Sequence, residues 1–363
     1  MQRSIRRVWL MLPCLLSSLF FIGLPLASCS NNVSPTTGST ESMTLKVGQV
    51  ANEISFFPMY VALRQNFYKA QGLTLDPSTP IMMGSGAKLT TAVEADSVEI
   101  GVGSVTNVFT ISRVDAYIKM IGAVTNDYLL DIAVSKQFEA QTHLSASSSL
   151  ADKIQGLRGK KIAISAPGSA TDALLTYLFK QQGLDAQKEV VKVNMGANTP
   201  AILAALKAGR IDAGVLSPPG GQIAALGSYG DAFISPVRGD IPAMQHQLFT
   251  VAYVKQKVID AKPKAIAAFI RALAQAEDYI QNHPEQMPGM MASYLKADQK
   301  TGNLAWSAVK TSMPMSPLIN QQSYDASDQF HVKAGLIAVS LDYKNLVATD
   351  TMKNALSATA SSS

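Results

Sequence analysis

The stretch "KKIAISAPGSATDALLTYLFKQQGLD", residues 160–185, contains a complete strand–turn–helix unit. The apolar residues of "KKIAIS" predict a strand, and the apolar residues that recur from Thr171 onward predict a helix. The next segment, "EVVKVNM", predicts another strand. A helix between two strands favours a parallel sheet with a right-handed crossover. This stretch therefore predicts an α/β fold.

The same cycle recurs on both sides of this stretch. A strand at Thr44–Val50 is followed by a helix that begins at Pro58 and ends near Gly72. The segments "PIMMGSGAKLTTAV" and "VEIGVGSVTNVFTI" repeat the strand–helix pattern, as do "PAILAALKAG" and "RIDAGVLS". Beyond Leu248–Val254 the pattern is mostly helical. The whole chain is therefore expected to be α/β, with a helical C-terminal part.

The first residues have the pattern of an export signal. Three arginines among the first seven residues precede a long apolar run that ends in "LASC", Leu26–Cys29. This segment resembles a lipoprotein signal box, which implies a signal peptide over residues 1–28 and a lipid on Cys29. Pro13 and Pro25 disfavour the alternative of a bilayer-spanning helix. The "RRVWL" pattern leaves both general and twin-arginine export open.

The cysteine content fits a lipid-anchored chain. Cys14 lies inside the expected signal peptide, so that Cys29 is the last cysteine of the sequence. Disulfides, a cysteine nucleophile and a thiolate metal site are therefore excluded from the mature chain. Residues 29–43 are polar and small, which is typical of a flexible tether.

The charge of the chain does not favour a nucleic-acid partner. Three of the 31 basic residues lie in the signal, which leaves 28 against 26 acidic residues in the mature chain. A nucleic-acid surface requires clustered Lys and Arg, and only isolated pairs such as Lys160–Lys161 occur. The four histidines are scattered, so neither a metal nor a cofactor is expected. About 335 residues remain after the signal, which predicts roughly two domains.

The turn "APGSATD", residues 166–172, has two interpretations. It lacks the Gly-Lys-Ser/Thr of a phosphate loop, and Ser169 with Asp172 matches a capping box. However, Gly84–Lys88 ("GSGAK") and Gly103–Asn107 ("GSVTN") place similar small residues between a strand and a helix. Ligands of parallel sheets bind at the carboxyl ends of the strands, and helix N-termini favour anions there. The three turns together predict a binding site.

Four segments resemble one protein family. They are "FFPMYVALRQNFYKAQGLTLD" from Phe56, "GSGAKLTTAVEADSVEIGVGS" from Gly84, "LRGKKIAISAPGSATDALLTYLFKQQGLD" from Leu157, and "AALKAGRIDAGVLSPP" from Ala204. They are similar to the substrate-binding proteins of nitrate-, sulfonate- and taurine-type ABC importers, a group that includes binders of thiamine-pyrimidine precursors. The resemblance extends over about Thr44–Tyr343. One departure is Glu99, where the family usually has aspartate.

The resemblance implies the two-lobed, type II fold of periplasmic binding proteins. Each lobe would be a mostly parallel sheet flanked by helices, and two crossover strands would act as the hinge. The first lobe would comprise residues 44–130 and 248–363, and the second lobe residues 131–247. These boundaries coincide with the changes of pattern along the chain.

The resemblance also places a ligand site in the loop after the first strand and in the three small-residue turns. Hydroxyls and amides would bind the polar end of a ligand, and Phe56 would pack on its flat or apolar part. A core position for Phe56 is the alternative, and Ser169 and Thr171 either contact the ligand or only cap their helix. The expected ligand-binding residues are Ser55, Phe56, Gly84, Ser85, Gly86, Ser104, Thr106, Asn107, Gly168, Ser169, Ala170, Thr171 and Pro218.

Three further polar residues remain undecided. Asn126 and Asp127 lie at the expected crossover, where they are either site residues or polar groups of the hinge. Arg238, in "PVRGD", is interpreted as an exposed loop residue; its alternative role is to counter an anion.

By this resemblance the protein binds a small solute and has no catalytic activity. It would be a monomer that captures a sulfonate-like or heterocyclic solute between its lobes and delivers it to an ABC permease. One alternative is a ligand-sensing module for a membrane receptor. Another is an enzyme on the same fold, such as a pyrimidine synthase, but those enzymes carry a cysteine cluster that this chain lacks.

Overall fold

The computed structural model describes residues 41–360, with side chains up to residue 357. Cys29, the expected signal peptide and most of the expected tether lie outside the described residues. The last tether residues already contact the fold, because the Glu41 carboxylate accepts a 2.9 Å hydrogen bond from the Ala265 amide. The Met43 carbonyl accepts another from the Thr74 amide at 2.9 Å.

Strands and helices alternate through residue 255 of the described chain, as the sequence pattern predicts. The described strands form two five-stranded sheets and one two-stranded pair. They are β1 (Thr44–Leu45), β2 (Val47–Gln49), β3 (Thr74–Leu75), β4 (Ile81–Met82), β5 (Ile100–Ser104), β6 (Ile118–Asn126), β7 (Asp131–Ser135), β8 (Lys161–Ile164), β9 (Val191–Asn194), β10 (Ala213–Leu216), β11 (Gly230–Ile234) and β12 (Leu248–Lys255).

Helices flank both sheets and make up the C-terminal part. The longest begins at Pro263, a residue favoured in the first helical turn, and buries its apolar face against the first sheet. The helices are α1 (Phe57–Arg64), α2 (Phe67–Ala70), α3 (Gly86–Glu94), α4 (Val105–Ile111), α5 (Lys136–Thr142), α6 (Leu150–Gly156), α7 (Ala170–Gln181), α8 (Ala186–Glu189), α9 (Thr199–Lys207), α10 (Gly220–Leu226), α11 (Gln256–Ala261), α12 (Pro263–Asn282), α13 (Met287–Leu295), α14 (Gln299–Val309), α15 (Gln321–Ala334), α16 (Tyr343–Leu346) and α17 (Thr349–Ala360). Three short 3-10 turns lie at Ile54–Phe56, Pro242–Met244 and Lys310–Ser312.

The first sheet has the order β4-β2-β5-β12-β6. Strands β2, β4 and β5 run parallel, whereas β12 pairs antiparallel with both β5 and β6. The second sheet has the order β11-β7-β10-β8-β9 and repeats this arrangement, since β7 pairs antiparallel with β10 and β11. Each sheet is therefore mostly parallel, with one reversed strand among parallel neighbours.

The reversed strands are the ones at which the chain changes sheet. The first crossing runs from β6 to β7, and the second from β11 to β12. Asp127 joins the two crossings, because its carboxylate accepts 2.9 Å and 2.8 Å hydrogen bonds from the His246 amide and the Ser312 hydroxyl. Its own amide donates to the Gln247 carbonyl at 2.7 Å. Asp127 is thus a polar group of the crossover, one of the two roles that the sequence left open.

The chain therefore forms two α/β lobes, one around each sheet. Among the helices of residues 41–360, none combines the length and the apolar character needed to cross a bilayer.

Candidate functional site

A cleft separates the carboxyl ends of the parallel strands of the two sheets. Its volume is about 540 Å³, including the open solvent at its mouth. Loops from both lobes form its walls, as expected for parallel sheets. The lining residues are Val50, Glu53, Ser55, Phe56, Gly86, Ser104, Asn107, Leu130, Ser165, Ser169, Ala170, Thr171, Gly196, Ala197, Ile202, Val215, Leu216, Phe249 and Thr250.

The loop after β2 supplies Ser55 and Phe56 on the first-lobe side. Both lie in the 3-10 turn that leads into α1, and both are buried. The Ser55 carbonyl accepts a 3.4 Å hydrogen bond from the Thr125 hydroxyl, which fixes the turn against β6. Phe56 is packed in the core and also lines the cleft, so the two roles considered for it coexist.

Asn107 is the central polar residue of the same wall. Its Oδ1 accepts a 3.2 Å hydrogen bond from the Ser104 hydroxyl, which orients the carboxamide. A Cβ at Gly103 would lie 2.6 Å from Oδ1, and a Cβ at Gly86 would collide with Nδ2. The glycines of these two turns therefore make room for an asparagine side chain, which is a reason for their small size that the sequence pattern did not show.

Three hydroxyls form a compact cluster on the second-lobe wall. Ser169 Oγ lies 2.9 Å from Ser165 Oγ and 2.7 Å from Thr171 Oγ1, and the last two oxygens are 3.0 Å apart. The Ser169 hydroxyl donates to the Ala166 carbonyl at 2.7 Å, and Thr171 Oγ1 accepts from the Ser165 amide at 2.9 Å. These bonds hold the hydroxyls in fixed directions at the cleft surface.

The prediction of a capping box at this turn is wrong. Ser169 occupies the N-cap position of α7, but its hydroxyl accepts no hydrogen bond from a helix amide because it belongs to the hydroxyl cluster. Asp172 accepts instead from the Gly168 amide at 2.8 Å, and its other oxygen pairs with Lys192 Nζ at 2.5 Å. This buried ion pair fastens the turn to β9.

The two lobes touch at the edge of the cleft. The Ala197 amide, in the loop after β9, donates a 2.8 Å hydrogen bond to the Gly84 carbonyl, in the loop after β4. A Cβ at Gly196, where φ is +69°, would lie 3.3 Å from the same carbonyl. The Thr199 hydroxyl lies 3.5 Å from Glu53 Oε1. These contacts place the lobes in a closed arrangement.

Glu53 is the single acidic side chain that lines the cleft, and the lining contains neither Lys, Arg nor His. Burial raises the pKa of its carboxyl group from the ordinary value of 4.5 to about 7, and the hydrogen bond from Thr199 opposes the rise. A carboxyl of this kind accepts hydrogen bonds when ionised and donates one when protonated.

The structure brings most of the expected site residues together. Ser55, Phe56, Gly86, Ser104, Asn107, Ser169, Ala170 and Thr171 all line the cleft. Gly84 and Pro218 line two cavities that adjoin it on either side of Glu53.

The other expected residues do not line the cleft but stabilise the segments that form its walls. Ser85 accepts a 3.3 Å hydrogen bond from the Lys88 amide as the N-cap of α3. Gly168 adopts a positive φ of +72° in the turn before α7. Thr106 lies 2.8 Å from His331 Nε2 in the core, where burial lowers the pKa of that imidazole to about 4. His331 is thus a packing residue, as expected for the scattered histidines.

Arg238 has a structural role in its loop. Its guanidinium pairs with the Asp240 carboxylate at 2.6 Å and donates to the Ala232 carbonyl at 3.0 Å. The interpretation of Arg238 as a loop residue agrees with this geometry.

Sequence reasoning missed about half of the lining. Glu53 lies two residues before Ser55 and Ser165 three residues before Gly168, but neither belongs to a small-residue turn. Phe249 and Thr250 begin the reversed strand β12, and no local pattern places that strand at the cleft. The loop "GAN" at residues 196–198 carried a signal that could have found it, since it repeats the small composition of the other turns.

Comparison with known proteins supports this architecture. A putative thiamine biosynthesis protein of Haemophilus influenzae is 27% identical over 291 residues, which cover 78% of this chain and 84% of that protein. The alkanesulfonate-binding protein SsuA of Xanthomonas axonopodis pv. citri, bound to MOPS, has a TM-score of 0.64 at 16% identity, with coverage of 85% and 100%. The ligand-binding component of an ABC-type import system from Staphylococcus aureus, with zinc bound, has a TM-score of 0.67 at 14% identity, with coverage of 86% and 99%.

The two lobes, the two crossings and the cleft define a periplasmic-binding-protein fold, and the expected fold class is confirmed. Residues 38–295 match the NMT1-like family, and the chain belongs to that family. The family resemblance expected from the sequence is likewise confirmed by this match, and the alkanesulfonate-binding neighbour shares the fold.

Proposed function

We propose that this protein is the solute-binding component of an ABC importer, which captures a small organic solute in the cleft and presents it to a permease. The observation that carries the proposal is the cleft itself, whose two walls come from different lobes and are lined with hydroxyls, a carboxamide and aromatic rings. The names of the two structural neighbours, a sulfonate-binding protein and an import component, support the same role.

Each wall has a distinct part in binding. Asn107 and the hydroxyl cluster of Ser165, Ser169 and Thr171 bind polar atoms of the solute from opposite lobes. Phe56 and Phe249 pack against its apolar part, and Phe249 is held by an aromatic contact of 4.7 Å with Tyr128. Because both lobes contribute, the solute stabilises the closed arrangement, and release requires the crossings to bend.

The proposal extends to the boundaries and the location of the protein. The first lobe comprises residues 44–130 and 248–363, and the second residues 131–247. The signal pattern supports export with removal of residues 1–28 and attachment through a lipid on Cys29, with residues 29–43 as the tether. The protein acts as a monomer with a membrane permease as its partner.

The cleft supports binding over catalysis. Among the described residues, its lining offers one carboxyl group and several hydroxyls, but no second titratable side chain for acid–base chemistry and no thiol. No group of three or more potential metal-ligating His, Cys, Asp or Glu side chains occurs in the described part of the chain. The hydroxyl cluster also has no imidazole partner that would activate a serine.

Thermal unfolding with a solute panel tests the proposal. The panel contains sulfonates, nitrate, bicarbonate, pyrimidines, flavins and aromatic acids. A solute that binds only the folded state stabilises it by RT ln(1 + [L]/Kd), about 2.7 kcal/mol at a hundredfold excess over Kd. We expect a shift that is lost in Asn107→Ala and kept in Asn303→Ala, an exposed asparagine of α14. A shift kept in both variants would place the solute elsewhere, and no shift from the folded chain would contradict the proposal.

A further inference from the structure

Glu53 lies where the cleft meets its two neighbouring cavities. It lines all three spaces, and no other residue does so among those of the described chain. The backbone carbonyl of Glu53 accepts a 3.1 Å hydrogen bond from the Tyr294 hydroxyl, which fixes the loop against α13. The backbone of Glu53 is thus fixed where the cleft adjoins the two neighbouring cavities.

The protein supplies little to balance a charge on Glu53. Its single side-chain partner is the Thr199 hydroxyl at 3.5 Å, at the limit of a hydrogen bond. Within residues 41–357, no Lys, Arg or His nitrogen lies within 4.0 Å of the carboxylate. Most of the acceptor capacity of this group therefore has no donor in the protein.

The charged and titratable groups around Glu53 lie on four elements. Tyr60 of α1 packs on Tyr294 of α13, with their ring centroids 4.8 Å apart. Lys88 of α3 and Lys207 of α9 line the two neighbouring cavities, one on each side of Glu53, but line no part of the cleft itself. Among the ion pairs of residues 41–357, none joins either lysine to Glu53. Among the described residues, the cleft lining therefore presents an anion with one carboxyl group and no cationic side chain.

A half-buried acceptor with few donors costs free energy in the ligand-free protein, and a donor on the ligand removes that cost. Against an anion, an ionised Glu53 adds repulsion, which opposes the attraction of the helix N-termini at the cleft. Glu53 thus favours solutes that donate a hydrogen bond and disfavours anions.

We infer that the solute of this protein is uncharged or positively charged and presents an N–H group, such as that of an amine, amide or amidine, to the Glu53 carboxylate. The inference rests on the proposed function, because it assigns a solute class to the same cleft. Sulfonates, nitrate and carboxylates are then disfavoured wherever Glu53 is ionised. Glu53 is the residue that determines this specificity.

The pKa of Glu53 gives the inference a pH signature. Since burial places this pKa near 7, the carboxylate is present above neutral pH and protonated below it. Binding of an N–H donor should therefore weaken as the pH falls from 8 to 5.5. Binding of an anion would strengthen over the same range.

Benzamidine, benzamide and benzoate test the inference, because the three share a ring and differ in the planar group that would meet Glu53. Their dissociation constants are measured by calorimetry with the full chain at pH 8 and pH 5.5. The variants are Glu53→Gln and the matched control Glu94→Gln, an exposed glutamate of α3 in the same lobe. We expect benzamidine and benzamide to bind at least tenfold more tightly than benzoate at pH 8. The preference should disappear in Glu53→Gln and at pH 5.5, and persist in Glu94→Gln.

Two results would overturn the inference and leave solute binding intact. One is benzoate or a sulfonate binding at least as tightly as benzamidine at pH 8, and the other is a preference that survives in Glu53→Gln. Failure of these three probes and of the whole solute panel to bind the folded chain would contradict the proposed function together with the inference. The two failures are thus distinguishable by whether any solute binds.

Discussion

The Ala197 amide and the Gly84 carbonyl form a 2.8 Å hydrogen bond between loops that belong to different lobes. Both partners are backbone groups, so no side chain takes part in the bond. The approach depends on Gly196, whose positive φ and missing Cβ let the loop come this close. A backbone contact of this kind couples the loop after β9 to closure of the cleft.

Replacement of Gly196 by alanine should weaken closure. The added Cβ would press on the Gly84 carbonyl at 3.3 Å, in a residue whose φ of +69° already disfavours alanine. We expect solute affinity to fall about fivefold to tenfold, corresponding to about 1–1.4 kcal/mol. Gly183→Ala is the matched control, since its φ of +69° carries the same strain with no atom within 4 Å of the new Cβ. Equal losses of affinity in both variants would refute a role for the inter-lobe contact.

Removal of the Lys192 ammonium should destabilise the second lobe. Its partner Asp172 is 7% exposed at the side chain, and Lys192 is 12% exposed, so Lys192→Met leaves a buried carboxylate without its cation. We expect a loss of about 3 kcal/mol in the free energy of unfolding, measured by urea denaturation. The control is Lys188→Met, whose pair with Asp185 is exposed and should contribute less than about 0.5 kcal/mol. A loss below 1 kcal/mol in Lys192→Met would show that water replaces the ion pair.

The hydroxyl of Thr171 should matter more than its size. Thr171→Val keeps the shape but leaves the Ser165 amide without its 2.9 Å acceptor, which costs about 1–3 kcal/mol of stability. Thr171→Ser keeps the hydroxyl and serves as the control. Solute affinity should fall in the valine variant and stay within about threefold in the serine variant. Equal affinity in both would exclude the hydroxyl from binding.

Glu53 should make the stability of the ligand-free protein depend on pH. Its pKa is about 7 in the folded state against 4.5 ordinarily, so between these values the folded state binds more protons than the unfolded state. The contribution of Glu53 to stability is therefore full below pH 4.5 and is lost as the pH rises through 7. Glu53→Gln should be more stable than the unsubstituted protein at pH 8, by about 1–3 kcal/mol, with the difference vanishing near pH 4.5. Denaturation curves at both pH values check this, and a difference independent of pH would contradict it.

Sequence patterns predicted the local units of the fold and many residues of the site. The strand–turn–helix unit at residues 160–185 was predicted because strand, turn and helix each have a short-range signal. The reversed strands β7 and β12 were not, since their direction depends on pairing with strands far away in sequence. A parallel arrangement was the natural expectation from alternating strands and helices.

The site residues show the same difference between local sequence patterns and contacts distant in sequence. The small-residue turns predicted Asn107, Ser169 and Thr171 as site residues, because each of these turns connects a strand to a helix. No sequence pattern distinguished Glu53, because acidic residues are common in loops. Its position at the site depends on the contact with Thr199 of the second lobe. The predicted cap at Ser169 failed for a related reason, because Ser165, on the preceding strand end, competes for the hydroxyl.

The bond between the Glu41 carboxylate and the Ala265 amide ties the start of the described chain to the N-terminus of α12. A pull on the residues before Glu41 therefore acts directly on the first lobe, whereas the chain enters and leaves the second lobe through the two crossings. If the proposed lipid on Cys29 holds the protein at a membrane, the first lobe is the stationary half and the second lobe does the moving. An anchor attached to the first lobe then does not oppose movement of the second lobe, so the cleft of the anchored protein can still open and close around a solute.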